Sequence, residues 1–380
     1  MESVSREFQV FVKPAGAICN LRCSYCYYLK KRSLYPCVEN PLMSDALLEK
    51  YVIQHISATT DELVFFSWHG GEPLIAGIDF FRKAVLYQKK HLPAGKRILN
   101  GIQTNGVLLD DDWCRFLSDE GFITGLSIDG PGDLHNKNRK SEQKQPTLEK
   151  VIKGHQLLQM NGINPEILCV VNGDNVKYPL VVYDFFRELG AQYITFLPLV
   201  ERLKNTPASV TAGSVPSLAF GEFLSAVFDE WVEKDIGRIR IQIIEEAART
   251  AFSQEHTLCI FKEKCGGVPV VEHNGDFYSC DHFVDEDHRL GNLNDRSLAY
   301  FLDSPAQKSF GEAKLLTLPQ YCLDCDVRKM CNGECPKNRF ISSPDGEPGL
   351  NYLCIGYKHF FTHCKPFVDA IGEEWRKNQL

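Results

Sequence analysis

The sequence contains no apolar run of membrane-spanning length, and its start, MESVSREFQV, lacks the basic-then-apolar pattern of a secretory signal. A cytosolic protein with no membrane partner is therefore expected. Basic runs are scarce and short: Lys30, Lys31 and Arg32 form one of them, and the formal net charge is −7. That balance argues against a nucleic-acid backbone as the main partner and leaves the run as solvated surface. There is no solenoid repeat and no low-complexity tract. At 380 residues, core size is no constraint: one large domain with an appendage, or two domains, can form.

Cysteine, by contrast, is plentiful. Fifteen of them in a reducing compartment point to metal binding rather than disulfides. Cys19, Cys23 and Cys26 cluster in AICNLRCSYCYYL, and eight more fall from Cys259 to Cys354. Cys37, Cys114, Cys169 and Cys364 stand apart and read as ordinary thiols.

From residue 8 to about 200, short β-rich runs alternate with amphipathic helical stretches. The predicted strands are FQVFVKP, ELVFFSW, RILNGIQ, FITGLSI, INPEILCVV and AQYITFL. Between them, SDALLEKYVIQHI starts at Ser44 as N-cap, DDDWCRFLSDEG ends on Gly121 and YPLVVYDFFRELG ends on Gly190. Six β-then-α units imply a parallel α/β sheet, too few for a closed eight-fold barrel, so a partial barrel is expected with reactive groups at the strand C-termini. A polar stretch from Lys204 to Ser217 marks a boundary, followed by a helix from Phe220 to Lys234 and a strand-like IRIQI. Beyond Cys259 the texture changes to hairpin signals, with Asn274-Gly275 as one turn, and metal ligation in place of much of a core. The segment from Asn351 to Leu380 reads as a capping helix.

Three cysteines are one too few for a tetrahedral structural zinc. They suit a four-iron cube with one iron left open to a substrate or cofactor. A zinc loop is the alternative reading. Strand two ends in HGGEP, where Gly70 and Gly71 let backbone approach a ligand and Glu72 can accept from a cationic amino group; taken alone it is a turn. Strand three ends in QTNG from Gln103, and strand four in SIDGP followed by HNKNR. These are ordinary turn sequences, yet each sits at a strand end, where Ser127 and Arg139 could meet a nucleotide. A surface salt bridge is the other reading of Arg139. The later cysteines, Cys259, Cys265, Cys280, Cys322, Cys325, Cys331, Cys335 and Cys354, make two complete sets of four. Two zinc sites would satisfy that count equally well. Asp281, in SCDHFV, could be a general base or could accept backbone hydrogen bonds in a metal loop.

The three-cysteine spacing resembles the signature of the radical S-adenosylmethionine (radical SAM) superfamily, and the later cysteines resemble its SPASM extension. CNLRCSYCYYL, GGEP, QTNG, SIDGP with HNKNR, ILCVVN, GDFYSCDHFV, and CNGECPKNRF with LNYLC together resemble the anaerobic sulfatase-maturating enzymes, in order and along nearly the whole chain. The stretch after Leu199 departs most, where peptide-binding details would lie. The resemblance implies a partial (β/α)6 barrel over residues 1–235, a SPASM iron-sulfur domain over 236–350 and a capping helix over 351–380. It implies S-adenosylmethionine and three 4Fe-4S clusters as cofactors. One cluster would sit on Cys19, Cys23 and Cys26, a second on Cys259, Cys265, Cys280 and Cys335, and a third on Cys322, Cys325, Cys331 and Cys354. Tyr25, Gly70, Gly71, Glu72, Gln103, Ser127 and Arg139 would bind the nucleotide cofactor. A 5′-deoxyadenosyl radical would take the Cβ hydrogen of a sulfatase cysteine or serine, and Asp281 would remove the thiol or hydroxyl proton, with Tyr28 near the substrate. The remaining electron would leave towards an auxiliary cluster, giving a thioaldehyde that hydrolyses, or an aldehyde directly, and so Cα-formylglycine. The implied partners are an unfolded or nascent sulfatase segment with a Cys/Ser-x-Pro-x-Arg motif and an electron donor such as flavodoxin or ferredoxin, acting on a monomer. Two rivals are a SPASM enzyme that crosslinks ribosomal peptides and a non-catalytic metal-binding protein. Strand one begins near residue 8, which leaves no room for the extra N-terminal recognition domain such crosslinking enzymes often carry.

Overall fold

β-branched and aromatic residues crowd all six predicted strands, and in the computed structural model each forms: β1 Phe11–Lys13, β2 Leu63–Trp68, β3 Arg97–Thr104, β4 Ile123–Ser127, β5 Glu166–Val171 and β6 Tyr193–Pro198. The structure describes residues 4, 7–35, 42–203, 206 and 208–378. Cys37 and, within the expected boundary stretch, Lys204, Asn205 and Pro207 lie outside the described residues. A helix follows each strand in chain order: Asp45–Ala58, Ile78–His91, Asp111–Asp119, Leu148–Met160, Pro179–Glu188 and Ser217–Lys234. The Ser44 hydroxyl caps the first, accepting from the Leu47 amide at 3.3 Å. The third and fifth stop two residues short of Gly121 and Gly190. Among the described residues, no helix is long and apolar enough to cross a membrane.

The chain divides into two units. The first comprises Met1–Ser127, Asn136–Pro165 and Gly266–Gly311. Its strands β1 to β4 lie side by side in parallel, with Phe11 opposite Ser67, Leu63 opposite Arg97 and Gly101 opposite Ile123. The Asn274-Gly275 turn forms as expected: β8 (Val270–Glu272) and β9 (Asp276–Tyr278) are antiparallel around it. This hairpin joins the N-terminal sheet, because β8 pairs in parallel with β1, setting Lys13 opposite Glu272. The core behind β2 is aromatic. Trp68 meets Phe81 edge-on with centroids 5.5 Å apart, Phe81 meets Trp113 in the same way at 5.5 Å, and the Trp68 indole N–H donates to buried Asn100 at 2.9 Å.

The second unit comprises Ile128–His135, Glu166–Cys265 and Glu312–Leu380. Here β5 and β6 are parallel, and β7 (Arg240–Ile241) adds to β6. The strand-like IRIQI is corrected by the structure: only Arg240 and Ile241 are extended, and Gln242 opens the helix Gln242–Ala251. Ile243, Ile244 and Ala247 are buried on one face of that helix, so the helical period outweighs the short β-rich run. The C-terminal helix Cys354–Lys377 packs on Ser217–Lys234 through glycine. A Cβ on Gly356 would lie 2.0 Å from the Ser217 carbonyl oxygen, and one on Gly221 would lie 2.3 Å from that of Gly356. Only the missing side chains let the two backbones approach so closely.

Candidate active site and cysteine centres

The CNLRCSYC loop leaves the C-terminal end of β1 and is clasped on two sides. On one, the Gly71 amide donates to the Gly16 carbonyl and the Glu72 amide to the Ile18 carbonyl, both at 2.8 Å. A Cβ on Gly71 would sit 2.0 Å from the Ile18 oxygen, so the GGE turn after β2 has to carry glycine there. On the other side, the Arg22 amide donates to the Lys140 carbonyl at 2.7 Å and the Ser24 amide to that of Asn138 at 2.9 Å. The HNKNR segment is thus a clamp on the cysteine loop as well as the bearer of Arg139.

Glu72 is buried, and its carboxylate accepts from the Leu74 amide at 3.1 Å, the Thr104 hydroxyl at 2.8 Å and the Asn105 amide at 2.8 Å. A carboxylate offers about four acceptor positions, so three protein donors orient it and leave capacity for one more. Burial outweighs these hydrogen bonds and raises its carboxyl to about 7. The Asn105 side-chain amide donates to Oδ1 of the Asn20 side chain at 2.8 Å, tying strand end β3 to the cysteine loop. Gln103 donates to the Ser127 hydroxyl at 3.1 Å. Arg139 is buried, not a surface ion pair, and its guanidinium lies 5.6 Å from the Tyr25 ring centroid. Tyr25 and Tyr28 are buried beside the cysteines, whereas Tyr27 is 39 % exposed.

Asp281 follows Cys280 and meets two groups that sequence reasoning did not pair with it. Lys13, the last residue of β1, reaches it at 2.5 Å, and the Tyr27 hydroxyl donates to it. Burial by itself would raise this carboxyl, but Lys13, then His282, hold it well below the ordinary carboxylate range. The Lys13 ammonium also lies 4.4 Å from the centroid of the Tyr28 ring. Tyr28 donates its hydroxyl to Glu272, and burial followed by that carboxylate pushes the phenol well above its usual range. Lys13, Glu272 and Asn105 are the residues the sequence reading missed. The signal for the first two was present: each is a charge set in an otherwise apolar strand, which burial tolerates only with a partner.

Among the described residues, no three cysteine, histidine or carboxylate side chains are grouped to hold a single metal ion. Burial and then the Glu72 charge push the Cys19 thiol up to about 12, with Cys23 and Cys26 adding to it. A buried thiol held protonated in this way becomes a thiolate once a metal takes it. In the second unit Cys322, Cys325, Cys331 and Cys354 line one cavity, shared with Tyr321 and Lys358. Burial raises Cys331 to about 12 and Cys354 to about 11, in each case with other cysteines of this group contributing. Cys259 is raised to about 11 by burial and then by Cys265. Cys114, Cys169 and Cys364 are fully buried.

Comparison with known proteins agrees with this chemistry. Residues 14–186 match the Radical SAM superfamily and residues 263–326 match SPASM, an iron-sulfur cluster-binding domain, which sets the class: a radical SAM α/β fold with a C-terminal SPASM domain. A serine-type anaerobic sulfatase-maturating enzyme of Bacteroides thetaiotaomicron is 43 % identical, covering 99 % of this chain and 94 % of that protein. A cysteine-type counterpart of Clostridium perfringens is 30 % identical over 94 % of this chain and 96 % of its own length. The solved structure of native anSMEcpe with bound AdoMet and Cp18Cys peptide superposes with a TM-score of 0.87 at 30 % identity, covering 96 % of this chain and 99 % of that one. The chain belongs to the anaerobic sulfatase-maturating enzyme family.

Proposed function

We propose that this enzyme oxidises a serine or cysteine side chain of a sulfatase to Cα-formylglycine. The observation that carries the reading is the clasp of the three-cysteine loop by the GGE turn, with the Glu72 carboxylate fixed beside it. Cys19, Cys23 and Cys26 would hold the first cluster, and Tyr25, Gly70, Gly71, Glu72, Gln103, Ser127 and Arg139 would hold S-adenosylmethionine. When bound, cluster and cofactor supply a 5′-deoxyadenosyl radical able to remove the Cβ hydrogen atom, and the auxiliary clusters accept the substrate's remaining electron.

The chain's own part is to position groups and to move one proton. Glu72 turns its remaining acceptor position to the cofactor's cationic amino group. Asp281, kept ionised and oriented by Lys13, takes the hydroxyl or thiol proton; a serine then yields the aldehyde directly, and a cysteine a thioaldehyde that water hydrolyses with loss of sulfide. Tyr28, pinned through Glu272, forms the substrate-side wall. The auxiliary ligand sets are Cys259, Cys265, Cys280 and Cys335, and Cys322, Cys325, Cys331 and Cys354. The parts are residues 1–235, 236–350 and 351–380. The substrate is a sulfatase segment with a Cys/Ser-x-Pro-x-Arg core, met in the cytoplasm by a monomer that draws electrons from a flavodoxin or ferredoxin. The higher identity to a serine-type relative favours a serine target.

The test is anaerobic: reconstituted protein, S-adenosylmethionine, reductant and Ser or Cys versions of the peptide, read by mass spectrometry. Conversion of the target residue to an aldehyde is expected. Formation of 5′-deoxyadenosine with both peptides unchanged would overturn the substrate and keep the radical chemistry.

A further inference from the structure

Two cations of the second unit are held by neutral oxygens alone. Lys314 is 1 % exposed, and its ammonium donates to the carbonyls of Cys259 at 2.9 Å, Ile260 at 2.7 Å and Lys262. Arg339 donates to the carbonyls of Gly333 at 2.8 Å, Lys314 at 2.5 Å, Asn332 at 2.8 Å and Glu334 at 3.2 Å. Among the described residues, neither makes an ion pair with a carboxylate. The acid within electrostatic reach is Glu334, itself buried, whose carboxylate accepts from Asn338 at 3.1 Å and Asn351 at 2.6 Å. Two cations against one carboxylate leave an excess positive charge inside the protein. Such a charge is costly unless an anion compensates it.

Cysteine thiols are the candidates for that anion. Lys314 holds the backbone carbonyl of Cys259 itself, and Arg339 holds that of Glu334, the neighbour of Cys335. The Lys314 charge favours the thiolate forms of Cys259 and Cys265, and the Arg339 charge those of Cys265 and Cys322. As thiolates on iron-sulfur clusters, these sulfurs belong to centres of net negative charge, whose potentials depend on the charges and hydrogen bonds around them.

We propose that Lys314 and Arg339 are built-in counter-charges of the auxiliary clusters and raise their reduction potentials, so that they accept the electron released by the substrate. The reduced cluster carries one more negative charge than the oxidised one, so a fixed cation nearby stabilises the reduced form more. The proposal rests on the ligand assignment made above. The rival role for Lys314 is a neutral one, a staple for the Cys259–Lys262 carbonyls, and it predicts no change in potential.

The experiment uses the full chain, reconstituted anaerobically, in a background with Cys19, Cys23 and Cys26 changed to Ala so that only auxiliary clusters report. Iron content comes first. Iron near about eight per chain supports the ligand assignment, and little or no iron refutes that assignment on its own. Potentials are then read by electron paramagnetic resonance during redox titration. Lys314→Met and Arg339→Gln are each expected to lower the reduction equilibrium about tenfold, or 59 mV for a one-electron couple, while Arg339→Lys shifts it less than about twofold. Titrations of both neutral variants that overlay the unsubstituted background would overturn the proposal. Should Lys314→Met fail to hold iron, the Arg339 pair decides: a shift in Gln and not in Lys supports the counter-charge, and equal potentials refute it.

Discussion

Lys13, at the end of β1, and Asp281, just after β9, meet at 2.5 Å although strands β2 to β9 and segments of both units lie between them in sequence. The contact exists because β8 lies parallel against β1, which brings the β8–β9 hairpin and the residues after it to the end of the strand. The lysine is buried, so its charge acts with little screening by water.

This geometry makes Asp281→Asn the decisive substitution for proton removal. Peptide conversion is expected to fall at least about a hundredfold, the range for losing a general base, while 5′-deoxyadenosine still forms. Lys13→Met should show the same split between product and 5′-deoxyadenosine with a smaller loss, because the carboxylate remains but loses its anchor. A variant of either kind that loses both products in parallel would point to a folding defect instead.

Glu72→Gln leaves one amide N–H₂ facing donors that the carboxylate accepts from, among them the Asn105 and Leu74 amides. The protein should lose about 1–3 kcal/mol of stability, and S-adenosylmethionine binding should weaken at least about tenfold, in line with losing a charge-assisted hydrogen bond. Chemical unfolding and equilibrium binding measure the two effects separately.

At the Gly356 crossing, a methyl group would meet the Ser217 carbonyl at 2.0 Å. Gly356→Ala is therefore expected to cost about 1–3 kcal/mol through overpacking. Ile355→Ala, on the exposed side of the same helix, should stay within about 0.5 kcal/mol. Urea midpoints of the two variants provide the comparison.

Cys325→Ser removes one thiolate from the cavity that it shares with Cys322, Cys331 and Cys354. Iron is expected to fall from about twelve to about eight per chain, the content of two cubes rather than three. Elemental analysis checks the number, and unfolding measurements should show a parallel loss of stability because cluster binding and folding are linked.

Acid should weaken the first unit through His55. This side chain is buried between Tyr51, whose hydroxyl bonds Nδ1 at 2.8 Å, and the stacked ring of Phe66, and burial pushes it down to about 3. An unfolded chain takes up this proton near pH 6.5 and the native one does not until about 3. The contribution is thus complete above pH 6.5 and erodes by about 1.4 kcal/mol for each pH unit below it. The slope of stability between pH 6.5 and 5 should flatten in His55→Phe, and an unchanged slope would assign the acid sensitivity to other groups.

Much of the scaffold was legible in the sequence because it rests on local chemistry. The six β-then-α units, the Ser44 cap and the Asn274-Gly275 turn are each written in a few neighbouring residues, and the structure forms all of them. Where local signals conflicted, the sequence misled: IRIQI has strand composition, but its last two residues already belong to a helix whose buried face is set by Ile243, Ile244 and Ala247. The spacing of Cys19, Cys23 and Cys26 likewise resembles the radical SAM signature, and the family match over residues 14–186 agrees with it.

Pairings between distant segments were decided only by tertiary structure. Nothing near Lys13 names Asp281 as its partner, nothing near Tyr28 names Glu272, and nothing near Lys314 marks the Cys259 loop that takes its three hydrogen bonds. The sequence by itself determined which chemistry the chain carries, because ligand type and spacing are properties of short segments. The tertiary structure determined which charges face that chemistry, because a buried ion needs a partner in space, and the parallel docking of β8 on β1 sets where the partners of Lys13 and Tyr28 lie.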